Sequence, residues 1–593
     1  MSDTGTGTQA GPRPLAESAP GTPPPPERPA APGQSALRRA DVSTGPAAAT
    51  APVRTAGSAP GTDDGPPGLG SFLARAAAAT AALTVLGALL GLVRDQAIAR
   101  YFGASEASDA FLIAWTVPEM AATVLIEDGM ALLLVPAFSL ALALRTAAPR
   151  DGVLAEDPVR TLVAGTLPRL FALLAGGAAL LIAGAPWAVG VLAPGLDDPR
   201  LAVDCTRITS VTVLTFGITG YFSAALRAHR SFLPPAGVYA AYNIGIIGMT
   251  LALHSAWGVR AVAAGVAVGS LLMILTQLPA LLRLLPRPCR RNRPSRARRP
   301  RVTRSAVPPL GAAVLAPVVL FVVSRQSQVL VERVLASTLP AGAISHLNYA
   351  QKVAQMPMVL SLMICTVTFP VVARAMADGD RARARRRVER DLALAATVVL
   401  LGTAVVLGYA PLIIEVLFQR GAFGPRDTAA TAEVMRVYAA GLLGHCLVGA
   451  LSRPFFSAGR PTWFPAFAMV TGLLVTTGAG YALTFRFGVN GIAAANALGI
   501  STAALLLLTG LGTRVIAIRV RTVAASLGRL TCAAAVAGAA GWAAAPAVTG
   551  PVRSLATGCV LVPVVFLLAG LVLRAPEVVH PLALIRQRFF HGR

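Results

Sequence analysis

An all-α, polytopic membrane protein is the fold class this chain predicts, and three observations carry that prediction. Of 593 residues, 55% are hydrophobic and 13% charged, with mean hydropathy +0.64. A soluble domain carries about 25% charged residues. Apolar runs recur from residue 73 to 574, each of about 20 residues, the length that crosses a hydrocarbon core as helix. Arginines crowd into alternate connections between these runs.

Residues 1–72 precede the first run and are rich in Pro, Gly, Ala, Ser and Thr, including Pro23 to Pro26. Such a segment cannot bury enough apolar surface to offset its conformational entropy, which predicts a disordered cytoplasmic tail. It has no short apolar core followed by a cleavage site, so it is not read as a signal peptide. Fourteen spans are expected next, near 73–99, 107–140, 161–190, 202–226, 233–256, 261–285, 306–337, 342–373, 391–418, 428–452, 462–485, 488–512, 524–546 and 555–574. The second and eighth exceed a bilayer's thickness and must tilt, bend or protrude. Loops after even-numbered spans hold 28 arginines, ten of them between Arg283 and Arg304, whereas loops after odd-numbered spans hold 7. The positive-inside rule then puts both termini in the cytoplasm.

The same pattern explains the net charge of +25. It follows topology, so no nucleic-acid partner is expected; the basic loops face anionic lipid headgroups. The C-terminal segment with Arg586, Arg588, Phe589 and Phe590 reads as an interfacial amphipathic piece. The six cysteines are scattered without CxxC or metal spacing, so they are expected to be small buried residues, with no metal site.

Charges inside the spans carry the chemistry. Lys352, the only lysine, lies within span eight. A charge at the bilayer centre costs about 2.5–3.5 kcal/mol on insertion scales, so it is expected to face a cavity and have a partner. Arg94, Asp95, Asp109 and Glu127 fall in spans one and two, Arg325, Gln326, Glu332 and Arg333 in span seven, and Asn348, Gln351 and Gln355 beside Lys352. Asn348, Lys352 and Gln355 are four and three apart, which predicts one helix face. Glu127 and Asp128 cannot both face lipid, so one is expected to line the cavity or pair with Arg94 or Arg325. The stretches ending at Pro118 and Pro357 form a weak internal repeat: a charged pair, a turn of small residues, then a helix interrupted by proline. Proline removes a helix hydrogen bond, and paired Pro-interrupted helices in two halves mark the binding site of an alternating-access carrier. A polar cavity for anionic cargo follows.

Enzymatic chemistry finds no support. A Walker A loop needs a lysine after its glycine-rich turn, and Lys352 is intramembrane. The six histidines form no ligand cluster and no nucleophile–base set emerges. Neither catalysis nor a cofactor is expected.

The block LGLVRDQAIARYFGASEASDAFLIAWTVPE (90–119), with LLVPAF (133–138), APGL (193–196), NYAQKVAQMP (348–357), LFQRGAF (417–423) and FFSAGRP (455–461), resembles the MurJ/MviN family, in order along nearly all of 73–574. The resemblance implies a MOP-superfamily, MATE-like transporter: an N-lobe (73–285), a basic linker (286–305), a C-lobe (306–512), a C-terminal helix pair (513–574) and a cytoplasmic tail (575–593). It implies flipping of lipid II, an undecaprenyl-pyrophosphate-linked saccharide, from the inner to the outer leaflet of the bacterial plasma membrane, by a monomer. By the same resemblance Arg94, Asp109, Glu127, Gln351 and Lys352 stand at cavity positions. Lysine keeps the charge there but lacks the bidentate fork an arginine offers phosphate. Spans thirteen and fourteen would line a groove for the lipid tail. Gly87, Ala88, Thr116, Ala122 and Thr123 replace polar or basic residues of many members, leaving Arg325 and Arg333 to compensate from the other lobe.

Arg94, Lys352 and Arg325, with Asn348 and Gln351, are therefore expected to neutralise the pyrophosphate, and Asp109, Glu127 and Glu332 to orient those bases or couple an ion. Moving two negative charges outward across an inside-negative membrane gains about 4.6 kcal/mol per 100 mV. Three rivals remain: export of another polyprenyl-pyrophosphate-linked glycan, cation-coupled drug export, and a non-transporting scaffold for cell-wall synthesis proteins.

Overall fold

A computed structural model describes residues 69–147, 157–196, 198–284, 312–361, 380–457, 462–514 and 517–577, with a few isolated positions between them. The expected basic linker, nearly all of the N-terminal tail and most of the C-terminal tail lie outside these residues. Eight helices come first: α1 (Leu69–Phe102), α2 (Glu106–Ala122), α3 (Gly129–Ala147), α4 (Pro158–Ala183), α5 (Ala185–Leu192), α6 (Arg200–Ala228), α7 (Leu233–Trp257) and α8 (Arg260–Leu284). Then come α9 (Ala312–Ala336), α10 (Ala343–Ala354), α11 (Arg381–Phe418), α12 (Pro425–Ala439), α13 (Leu442–Ser457), α14 (Phe464–Arg514), α15 (Val520–Ala544) and α16 (Pro551–Val572).

Local chemistry explains several boundaries. Gly103 turns the chain after α1 with φ 61°, a region that glycine enters without steric cost. A reciprocal cap then starts α2: the Ser105 Oγ accepts from the Ser108 N–H at 3.4 Å, and the Ser108 Oγ accepts from the Ser105 N–H at 2.9 Å. Span two was expected to break at Pro118. Instead α2 continues through Pro118, and the ladder widens into π-turns at Thr123–Asp128 before α3 resumes. Span eight breaks at Gln355, with helix resuming at 356, so Pro357 sits in the first turn of the new piece, where its missing N–H costs nothing.

Ten described helices are long and apolar enough to cross a membrane, or eleven if the bent pair α12–α13 is one span. The expected fourteen are not all counted this way, for identifiable reasons. Spans seven and eight run into residues 306–311 and 362–373, outside the described set. One of the ten is α14, whose Gly488 has φ 53° and ψ −129°. Gly472 packs on Gly499, and Gly491 on the Leu483 carbonyl, so α14 folds back on itself as two antiparallel pieces.

Helices α1–α8 pack mainly on one another, centred on α6 and α8, while α9, α10 and α12–α14 pack together with α11. The α15–α16 hairpin lies against α11, where Gly408 faces Gly538 and Gly541. Cys205 and Cys446 are buried as expected, but Cys532 and Cys559 on that hairpin are exposed. In a membrane, an exposed apolar side chain meets lipid, so burial inside the protein is not required of it.

Hydrogen bonds joining α1–α8 to the C-terminal half gather at one end of the bundle. There the Ala422 N–H donates to the Arg100 carbonyl at 2.8 Å, and the Gly195 N–H donates to the Ser337 Oγ at 3.3 Å.

Candidate functional site: a cation pair beneath an interlobe cap

Asp109 joins the two halves of the protein. From the first turn of α2 its Oδ2 accepts the Gly342 N–H at 2.7 Å, and its Oδ1 accepts the Ser345 N–H at 2.8 Å and the Ser345 hydroxyl at 2.6 Å. These are orphan donors at the N-terminus of α10, where a negative charge is most stabilising. The Ser108 and Ser345 hydroxyls add a contact at 2.8 Å. Gly342 makes this approach feasible: its φ is 93°, and a Cβ there would lie 2.7 Å from the Ala104 carbonyl oxygen. Gly342→Ala is expected to lower stability by about 1–3 kcal/mol, read as a drop in thermal midpoint in detergent; an unchanged midpoint would contradict the strained geometry. The 96%-buried Asp109 is thus committed to a helix cap, not free in a cavity.

Inward from this cap, two cations share one aromatic ring. Trp115 lies ten residues past Ser105 on α2, about 15 Å of helix rise. The Arg94 Cζ is 4.6 Å and the Lys352 Nζ 4.2 Å from its centroid, within cation–π range. The Trp115 indole N–H donates to the Tyr242 hydroxyl at 3.1 Å, which fixes the ring on α7. Arg94 donates from Nε at 3.0 Å and Nη2 at 2.8 Å to the Asp95 Oδ1, and from Nη1 at 3.0 Å to the Asn243 Oδ1. Asn243 in turn donates to the Gly87 carbonyl at 3.0 Å. Lys352 lies 3.8 Å from the Asp95 carboxylate and 4.0 Å from that of Glu119. Two positive and two negative side chains thus meet across the two halves, and the buried Arg333 is near enough to Lys352 and Glu119 to act on both electrostatically.

The other predicted residues are placed elsewhere. Asn348 accepts from the Arg333 Nη2 at 3.2 Å, while the Arg333 Nη1 donates to the Ile344 carbonyl at 3.1 Å. Gln351 and Gln355 donate to the Tyr438 hydroxyl at 2.9 and 3.2 Å. Tyr438 meets His445, His445 meets Asn496, and Asn496 donates to Glu332. Arg325 is near enough to Tyr438 and His445 to act on both electrostatically. Hence Asn348 and Gln351 face the interior of the C-terminal half, not the Lys352 site. Residues 348, 351, 352 and 355 lie within one arc of about 100° on α10, but that face meets several neighbouring helices, which take the four side chains separately. The side chain of Glu127 lies outside the described residues.

Sequence reading missed Trp115, Glu119, Tyr242 and Asn243. Trp115 and Glu119 sit four apart on the helix carrying Asp109, which places them on one face. Asn243 is a polar residue inside an apolar run, and buried polar groups require partners.

A family model described as "Lipid II flippase MurJ" matches residues 98–558. The lipid II flippase MurJ of Burkholderia cenocepacia is 28% identical over 450 residues, covering 74% of this chain and 84% of that protein. A probable lipid II flippase MurJ of Buchnera aphidicola is 24% identical over 387 residues, covering 63% and 71%. Among solved structures, a lipid II flippase MurJ in an inward closed conformation matches with TM-score 0.64 and 19% identity over 84% of this chain and 98% of that one. An inward-facing MATE multidrug transporter of the MOP superfamily matches with TM-score 0.57 and 14% identity over 76% and 99%. The extent of the family match, over residues 98–558, leads to one assignment: the chain belongs to the lipid II flippase MurJ family.

Proposed function

We propose that this protein is a lipid II flippase, moving the undecaprenyl-pyrophosphate-linked peptidoglycan precursor from the inner to the outer leaflet of the bacterial plasma membrane by alternating access. The observation that carries the reading is the meeting of Arg94 and Lys352, one from each half, within 5 Å of the same ring. A diphosphate is a compact double anion, and a cation pair divided between two halves responds to it by moving the halves. The lobes are the N-lobe (73–285) and C-lobe (306–512), with 513–574 as the C-terminal pair. The arginine-rich loops face the cytoplasm, as do both termini, so the Asp109 cap closes the outer end. Lys352 and Arg94 receive the diphosphate, Asp109 governs closure, and Glu332 with its buried chain to His445 is the candidate for ion coupling.

The test is complementation of a bacterium depleted of its own lipid II flippase. Rescue by the wild type supports the cargo; a stably inserted protein that fails to rescue counts against it. A second reading, another polyprenyl-pyrophosphate-linked glycan, has one observation in its favour. Thr116, where the family resemblance implies a lysine, is buried and satisfied by the Leu112 carbonyl at 2.7 Å. On that resemblance the N-lobe offers fewer cations than the family pattern, and cargo of different headgroup size suits such a receptor.

A further inference from the structure

Arg94 and Lys352 differ in what they have available. The Arg94 Nε, Nη1 and Nη2 atoms are all engaged with Asp95 and Asn243. The Lys352 ammonium is buried without a hydrogen-bond partner, held by carboxylates at 3.8 and 4.0 Å and by the Trp115 face. A flexible four-carbon stem would not otherwise keep its ammonium in one place. We infer that Trp115 is a positioning residue: its indole, locked by Tyr242, holds the Lys352 ammonium beside Arg94 as a preformed two-cation receptor for a diphosphate group. This deepens the flippase reading and rests on it for the identity of the cargo.

The charge arrangement supports an exchange mechanism. The Glu119 side chain is 42% exposed and that of Asp95 9%, so Glu119 is the counter-ion an entering anion displaces first. Its departure opens the Lys352 ammonium, whose donors are unbonded, to phosphate oxygens while Trp115 keeps it in register. Arg94 then exchanges part of its hold on Asp95 for the second phosphate. No bond is made or broken; ion pairs are traded at nearly constant local charge. Because Asp95 and Glu119 belong to one half and Lys352 to the other, the trade removes an interlobe link as the anion arrives.

The experiment is a double-mutant cycle on the full chain in nanodiscs, with undecaprenyl diphosphate and, separately, inorganic pyrophosphate as probes. Trp115→Leu is expected to weaken binding about tenfold and Trp115→Phe about threefold, since a benzene ring retains part of the cation–π attraction. In a Lys352→Met background the effect of Trp115→Leu should shrink to about threefold or less, because coupled residues are non-additive. An undiminished tenfold effect in that background, or equal effects of Phe and Leu, would overturn the proposal in favour of simple packing. Binding of pyrophosphate with the coupling intact, but not of the lipid, would keep the receptor and reject the cargo. Binding of neither probe by the wild type would overturn the receptor itself, while rescue in cells would still judge the flippase reading independently.

Discussion

Lys352→Ala is expected to abolish rescue of a flippase-depleted strain while the protein remains in the membrane at wild-type level. The ammonium is the one interlobe cation that meets both Asp95 and Glu119 among the described residues, and no other lysine exists in the chain to replace it. Its removal leaves the buried Asp95 with Arg94 as its one salt-bridge partner among the described residues, so the site becomes more negative by one unit. An anionic cargo then meets less attraction there. At an effective dielectric of 20, one unit charge at about 4 Å is worth roughly 4 kcal/mol, which converts to about three orders of magnitude in transport rate. Lys352→Arg should retain substantial function, since charge and reach are kept. Full rescue by a well-expressed Lys352→Ala would remove the central element of the proposed mechanism.

Asp109→Asn is expected to open the outer end. The carboxylate accepts three hydrogen bonds from the N-terminal turn of α10, and bonds to a charged group are worth about 1.5–3 kcal/mol each. Asparagine retains an acceptor but loses the charge, and its amide presents donors to donors. A shift of about 2–3 kcal/mol toward the outward-open state, some 30–150-fold, is the scale typical of interlobe coupling. It is measured as the labelling rate of an Ala104→Cys reporter by a membrane-impermeant maleimide, in a background with native cysteines replaced. Ala104 packs against Gly342 at this closure. An unchanged labelling rate would show that the cap does not govern outer access.

Much of this arrangement is legible in the linear order of residues. The apolar runs, the arginine alternation and the intramembrane charges each express one physical fact, the cost of placing polar groups in hydrocarbon. That cost acts on every residue locally, so it writes itself along the chain. It is enough to name Arg94, Lys352 and Asp109 as residues needing partners. Helical periodicity carries less far. The expected shared face of Asn348, Lys352 and Gln355 resolves into an arginine partner, an interlobe ion pair and a tyrosine partner.

Which partner each charge takes was decided by tertiary structure alone. Asp109 and Gly342 are 233 residues apart, and Arg94 and Asn243 are 149 apart; no spacing rule connects such pairs. Trp115 reads in sequence as one more large apolar residue on an apolar helix, and becomes a cation platform only when α1, α2, α7 and α10 converge on it. Pro118 shows the same division. Its presence announces a disturbed helix, but neighbouring packing let the ladder pass the proline and widen at Thr123–Asp128. There Gly220 on α6 packs against the Leu125 carbonyl, a close approach that only glycine permits. The sequence by itself determined how many polar groups the membrane must hide, and roughly where. Only the folded chain determined which of them hide together, because that depends on helices meeting across distances the linear order does not encode.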